Sequence, residues 1–211
     1  PLNAARLFTS TLVENRNPDG QNQLVRNVDQ SLEAVEDILS TILDISRFDA
    51  GAVKPEITAF RLQDIFTPLE REFRAMAANK GLDFYIMPSA AVLQSDRKLM
   101  RRILQNLISN AIKYTPKGRV LVGCKRMGAQ MKLMVCDTGL GIPEDQRSII
   151  FHEFERLGRD KGAAPGLGLG LSIVERMCRV LDHPLQLTST LEKGTVFSVT
   201  VPRARGVALE V

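Results

Sequence analysis

The stretch "NLISNAIKYTP", residues 106–116, decides how the rest of the chain is read. With Leu104 just before it, Leu107, Ile108, Ala111 and Ile112 fall on one arc, which predicts an amphipathic helix over about 96–113. Asn106, Asn110 and Lys113 follow the spacing i, i+4, i+7 and form one stripe on the opposite side. A solvated helix face is ordinarily built from Glu, Lys and Gln, which are better helix formers than Asn. Two carboxamides and an ammonium in register are either a polar surface stripe or a set of ligands. This segment alone leaves both open.

Composition bounds the alternatives. The chain has 211 residues, room for one large domain or two small ones, and at 44% hydrophobic and 25% charged it reads as an ordinary globular protein. It holds no apolar run of about 18 residues, so no membrane contact is expected from this fragment. "PLNAARLFTSTL" (1–12) has neither the basic start nor the long apolar core of a secretory signal. Cys124, Cys136 and Cys178 are odd in number and widely spaced, with no CxxC pair. We expect reduced, buried thiols and a cytoplasmic chain, whose full-length parent can still be membrane-anchored. A net charge of +4 and a pI near 9.1 invite a nucleic-acid reading. With 5% aromatics, no Trp and dispersed basic residues, solvated helix charge is the better account, and no nucleic acid is expected.

Working outward, residues 1–50 read as two helices broken at "NRNPDGQ" (15–21). After the break Val25, Val28, Leu32, Val35, Leu39 and Ile42 recur at 3-4-3-4-3 spacing, and Leu24, Ile38 and Ile45 widen the seam. That pattern suits an antiparallel helical hairpin forming half of a dimeric four-helix bundle, because the hairpin alone is too small to bury its stripe. Residues 51–56 read as a linker. Residues 57–203 mix strands ("KPEITAF", "LDFYIMP") with a helix containing Pro68, then the asparagine helix. The pair "RVLVGCKR" and "MKLMVCD" turns at Gly128; a helix over about Gly170–Leu181 and the pair "PLQLTST" and "TVFSVTVP" follow. Largely antiparallel strands without regular βαβ alternation predict an α+β sandwich, with 204–211 as a tail.

Two glycine-rich stretches bear on chemistry. "DTGLGIP" places Asp137 at a strand end before Gly139 and Gly141, where a carboxylate reaches a base edge or a strand simply turns into a helix. "GLGLGLSIV" runs Gly166, Gly168 and Gly170 into an apolar helix, offering free N–H groups to a phosphate. It is neither GxGxxG after a strand nor a P-loop. Between them "FHEFERLGRDKGAAP" (151–165), with Arg156, Arg159 and Lys161, is a surface loop or a lid that closes cations over phosphates. His152 reads as structural and His183, before Pro184, as a turn residue.

The order of these stretches is more specific than any one of them. An Asn-x-x-x-Asn-x-x-Lys helix, a DxGxG turn, a Phe-rich basic lid and a GxGxG helix start resemble the ATP-binding domain of sensor histidine kinases. That domain is of the GHKL (Bergerat) type shared with gyrase, the heat-shock chaperone ATPase and mismatch-repair ATPases. "EKGTVFSVTVP" (192–202) resembles the closing glycine box and strand. "PLNAARLF" resembles the second half of the family's phosphoacceptor box, where a histidine lies five residues before such a proline.

The resemblance implies ATP and Mg²⁺. Asn106 and Asn110 would hold the metal, Lys113 would add a point charge to the phosphates, and Tyr114 would lie against the nucleotide. Asp137 would accept the adenine amino group, with Gly139 and Gly141 letting the backbone approach the base and Thr195 completing that pocket. Gly166, Leu167, Gly168, Leu169 and Gly170 would cradle phosphate, and Arg156 or Arg159 would close from the lid. The similar hydrolases place a Glu four residues before the metal asparagine; here Asn106 stands there, which favours transfer to a protein side chain over hydrolysis. The implied activity is a protein-histidine kinase acting as a homodimer, with a response-regulator receiver domain as partner. A non-catalytic pseudokinase and an ATPase clamp are the alternatives. The second helix, about Asn22–Asp49, would run roughly 42 Å and the first, Pro1–Asn15, roughly 22 Å. The phosphoacceptor is therefore expected upstream of Pro1, leaving this chain unable to phosphorylate itself.

Overall fold

The structure is a computed structural model and describes Thr9, residues 18–155 and residues 168–204. The chain divides into two compact units, one ending at Arg47 and one beginning at Phe48. In the first, helix α1 (Pro18–Asp49, whose last two residues belong to the second unit) opens on Pro18, which suits a first helical position because its missing N–H would have had no partner there. The helix thus begins inside the expected break. Val25, Leu32, Leu39 and Ile42 are all exposed on it. The other arm of the expected hairpin lies outside the described residues.

The second unit begins with a two-stranded ribbon, β1 (Thr58–Arg61) against β3 (Val92–Ser95), antiparallel. Between them lie α2 (Gln63–Asn79) and β2 (Leu82–Ile86). Then come α3 (Arg97–Tyr114), β4 (Gly118–Met127), β5 (Gln130–Asp137), two short 3₁₀ turns (Glu144–Gln146, Ile149–Phe151), α4 (Gly170–Val180), β6 (Leu185–Thr190) and β7 (Gly194–Pro202). Five strands form one sheet in the order β2-β4-β5-β7-β6. Among the described strands only β2 and β4 pair in parallel, which the long crossover through β3 and α3 permits.

Helices and sheet close on one core. Ile65, Phe66 and Leu69 of α2, Met100, Leu104 and Ile108 of α3, and Ile173, Val174 and Met177 of α4 are buried with Val120, Val122, Leu133, Val135 and Val199 of the sheet. Pro68 has no N–H for the carbonyl of Asp64, and the Arg97 guanidinium donates to that oxygen instead, at 3.4 Å. Asp96 caps α3: its Oδ1 accepts from the N–H groups of Lys98 and Leu99 at 2.8 and 3.0 Å, and Oδ2 from that of Glu56 at 2.8 Å. One carboxylate thus starts the asparagine helix and ties down the incoming linker.

Candidate functional site

The site is organised by α3. Its inner face, from Met100 to Ile112, is locked into the core, which fixes the helix about its own axis and turns Asn106 and Asn110 the other way. Both meet the start of α4: a Cβ added to Gly170 would lie 3.1 Å from Asn106 Oδ1 and 3.7 Å from Asn110 Nδ2. Any larger residue there would press on the amides. Asn106 Nδ2 donates to the Arg102 carbonyl at 2.9 Å, which leaves its Oδ1 as an acceptor beside the helix start. Residues at least 60 positions apart in the sequence thereby come together, the asparagine stripe against the glycine-led helix start.

The far end of the same helix meets the DxGxG turn. Tyr114 is partly exposed, and its carbonyl accepts from Leu140 N at 3.4 Å. Gly139 packs against that carbonyl, Thr115 Oγ1 and Asp137 Oδ1, all within 3 Å of where a Cβ would stand. Asp137 divides its labour between two oxygens. Oδ1 accepts from Gly139 N at 2.8 Å and Thr195 N at 3.2 Å, while no described residue bonds to Oδ2. Burial raises the Asp137 carboxyl above the ordinary carboxylate value, against the opposing pull of those two backbone bonds. Thr195 is buried, and its hydroxyl lies 2.9 Å from that of Ser189. Ser189 Oγ also accepts from Ile142 N at 2.8 Å and donates to Gly194 O at 3.0 Å. It ties the turn, β6 and β7 into one knot.

Two glycines make that knot possible. Gly141, at φ +69°, presses against the Thr190 carbonyl, and Gly194, at φ +113°, against the carbonyl of Asp137; added Cβ atoms would sit 2.1 and 1.9 Å from those oxygens.

Other expected residues fall differently. Lys113 Nζ stands over the Tyr114 ring, 4.9 Å from its centroid. The Leu169 side chain is buried, and its carbonyl accepts from Ile173 N and Ser172 Oγ, so only its backbone can serve a ligand. Gly168 packs on the backbone of Phe154 and Glu155. Arg156, Arg159, Gly166 and Leu167 lie outside the described residues. His183 is not a simple turn residue: it is buried, bonds Ser95 Oγ at 2.8 Å, and burial holds its pKa below the usual value. Its neighbour Asp182, at φ +53°, turns the chain inward there. His152 is exposed rather than structural. All three cysteines are free, but only Cys178 is buried, where desolvation pushes its thiol up to about 12.

Sequence reasoning missed Lys80. Its ammonium donates to the carbonyls of Ile112 and Lys113, both at 2.6 Å, and so caps α3 beside Tyr114. A lone lysine before a glycine carries no signal of such a reach. Ser189 was equally silent, one hydroxyl among several in "LTST".

Residues 95–205 match the family described as histidine kinase-, DNA gyrase B- and HSP90-like ATPase, and the chain belongs to that family. Within it, the chain is similar to the ATP-binding domains of sensor histidine kinases. It is 32% identical over 213 aligned positions to the autoinducer 2 sensor kinase/phosphatase LuxQ of Vibrio cholerae, covering 96% of this chain and 24% of that one. The chain spans between 20% and 54% of the length of curated relatives it matches. Its fold is similar to that of full-length ShkA in complex with AMPPNP (TM-score 0.76, 22% identity, covering 97% of this chain and 44% of that one). It is also similar to histidine kinase ThkA in complex with response regulator protein TrrA (TM-score 0.71, 20% identity, 97% and 58%).

Proposed function

We propose that this domain binds MgATP with the adenine amino group on Asp137 Oδ2 and the phosphates between the asparagine pair and the start of α4. The γ-phosphoryl then passes to a histidine in a segment preceding this chain, and onward to an aspartate of a response-regulator receiver domain. The observation that carries the reading is a single helix whose carboxamides stand against Gly170 in its second half and whose last residue, Tyr114, meets the Asp137 turn. Asn106 and Tyr114 lie about 12 Å apart along the axis. The relative solved with a bound nucleotide analogue and the one solved with a response regulator support the two partners.

Among the described residues no three His, Cys, Asp or Glu side chains cluster as a metal site. Two amide oxygens suit Mg²⁺, a hard ion that keeps several waters and takes its other ligands from phosphates. When bound, it would neutralise phosphate charge. Asn110 and Asn106 would hold it, Lys113 would swing from the Tyr114 ring towards the phosphates, and Arg156 or Arg159 would contribute from the lid. A carboxamide takes no proton at neutral pH, so Asn106 cannot activate water, and the site is built for positioning rather than hydrolysis. Phosphate release by this chain in excess MgATP should therefore be far below about one turnover per second, with ATP binding intact. The intact protein, carrying the preceding segment, should acquire acid-labile phosphate. Fast release would make the domain an ATPase clamp, and binding without labelling of the intact protein would make it a pseudokinase.

We also infer a homodimer through α1, and a protein acting in the cytoplasm. No described helix is long and apolar enough to cross a membrane. Val25, Leu32, Leu39 and Ile42 are between 44% and 56% exposed within one chain, a row that calls for an apolar partner. Sedimentation should give about twice the 23.4 kDa chain mass at high concentration. Changing Leu32 and Leu39 to Glu should return a monomer with unaltered ATP affinity. A wild-type monomer at millimolar concentration would remove this assignment.

A further inference from the structure

The helices cover one face of the five-stranded sheet, and the strand alternation sends a second set of side chains to the other. An open antiparallel face is ordinarily polar. This one is not. Tyr85, Leu121, Cys136 and Val196 lie side by side across β2, β4, β5 and β7. In the next row Met87 packs on Gly123, which pairs with Met134. Tyr85, Met87 and Leu121 are 56%, 53% and 37% exposed. On β6 the same face turns polar, with Gln186, Thr188 and Thr190.

Cations bracket this apolar band. Arg119 stands on one side; on the other, Lys125 and Lys132 are directly paired in the ladder, an arrangement that destabilises by like-charge repulsion. Lys132 Nζ reaches Gln186 Oε1 at 2.8 Å. Among the described residues no carboxylate forms an ion pair with any of the three. Asp83, beside Arg119 in the register, is the one acidic strand residue on this face.

We infer that the open sheet face, an apolar band from Tyr85 to Val196 bracketed by Arg119, Lys125 and Lys132, docks an acidic amphipathic helix of a partner protein. The dimensions fit. Four strands span about 14 Å across, between two and three helical turns, and Arg119 and Lys125 stand about 20 Å apart along β4. A helix about 10 Å wide lies between them with its apolar residues on the band and a row of carboxylates on each flank. Exposed apolar area rimmed by charge is what recognition surfaces present, and the unpaired cations supply steering and register.

A synthetic helical peptide of about four turns, with leucines at i, i+3, i+4 and i+7 flanked by glutamates, tests this by fluorescence anisotropy at low salt. Its charge-reversed lysine counterpart is the control. The acidic peptide should saturate and bind at least tenfold more tightly than the control. The double variant Lys125→Glu, Lys132→Glu should lose about tenfold, and Leu121→Ser or Tyr85→Ser a comparable amount, with ATP affinity unchanged as the check on folding. Equal binding of the two peptides, or acidic-peptide binding indifferent to all of these variants, overturns the inference. So does capture of anionic lipid vesicles without peptide binding, or self-association that Tyr85→Ser abolishes while no peptide binds.

Discussion

In Asp137→Asn, ATP should bind roughly ten- to a hundredfold more weakly, while the nucleotide-free fold loses nothing. The expectation follows from the division of labour between the two carboxylate oxygens. Oδ1 is consumed by the N–H groups of Gly139 and Thr195, and an asparagine keeps that acceptor in place. What changes is the other atom: Oδ2, the acceptor proposed for the adenine amino group, becomes an amide donor that faces another donor. A hydrogen bond to a charged group is worth about 1.5–3 kcal/mol, which converts to the affinity range given. Linkage separates binding from stability. Burial raises the folded-state pKa of Asp137 above its unfolded value, so the stability tied to its protonated form is fully present below the ordinary carboxylate value. It is lost as pH rises through the raised value. At neutral pH the native chain therefore carries the cost of a buried charge that the asparagine variant lacks. Calorimetric titration with an ATP analogue and urea unfolding of both proteins check the two halves; equal affinities would remove Asp137 from the base pocket.

Gly194→Ala should have the larger effect on the fold, about 2–6 kcal/mol, and should weaken ATP binding with it. Two costs add. The residue sits at φ +113°, where a side chain is strained by about 1–3 kcal/mol, and its Cβ would stand 1.9 Å from the Asp137 carbonyl. That oxygen cannot yield easily, because Asp137 and Thr195 are paired in the β5–β7 ladder. Overpacking of this kind costs a further 1–3 kcal/mol, and a domain's whole stability is only about 5–15. Gly128→Ala is the matched control, at φ +61° with open space around it. It should lose only the backbone share. If denaturant unfolding finds the two variants equally stable, the close approach of β7 to Asp137 is not what the glycine serves.

The sequence displays the parts of this site that depend on local periodicity and hides those that depend on reach. Asn106 and Asn110 were legible because helical spacing alone puts them opposite a buried arc. Asp137 and its glycines were legible because a strand end and a tight turn are local events. β3 was not: "VLQS" is four residues long and becomes a strand only through β1, which lies more than 30 positions earlier. The parallel pairing of β2 with β4 is likewise a choice made by the crossover, which no pattern within either strand records. His183 looked like a turn residue because a proline follows it, yet Ser95, 88 positions away, receives its ring. Lys80 is the plainest case, since its partners are backbone carbonyls that any sequence would supply.

The two-sided character of α3 also maps where this chain tolerates a change of length. A residue inserted between the Asp96 cap and Asn106 would rotate everything beyond it by about 100°, swinging both amides off the start of α4 and driving polar side chains into the core. No neighbouring side chain repairs such an error, because the buried arc and the ligand stripe share one backbone and turn together. The β4–β5 turn at Gly128 has no such coupling: Gly128 faces open space, and the tie beside it is a backbone bond, Arg203 N to the Ala129 carbonyl at 3.0 Å. Natural variation in length should therefore collect at that turn and be absent from the first half of the asparagine helix, where the spacing itself is what the site requires.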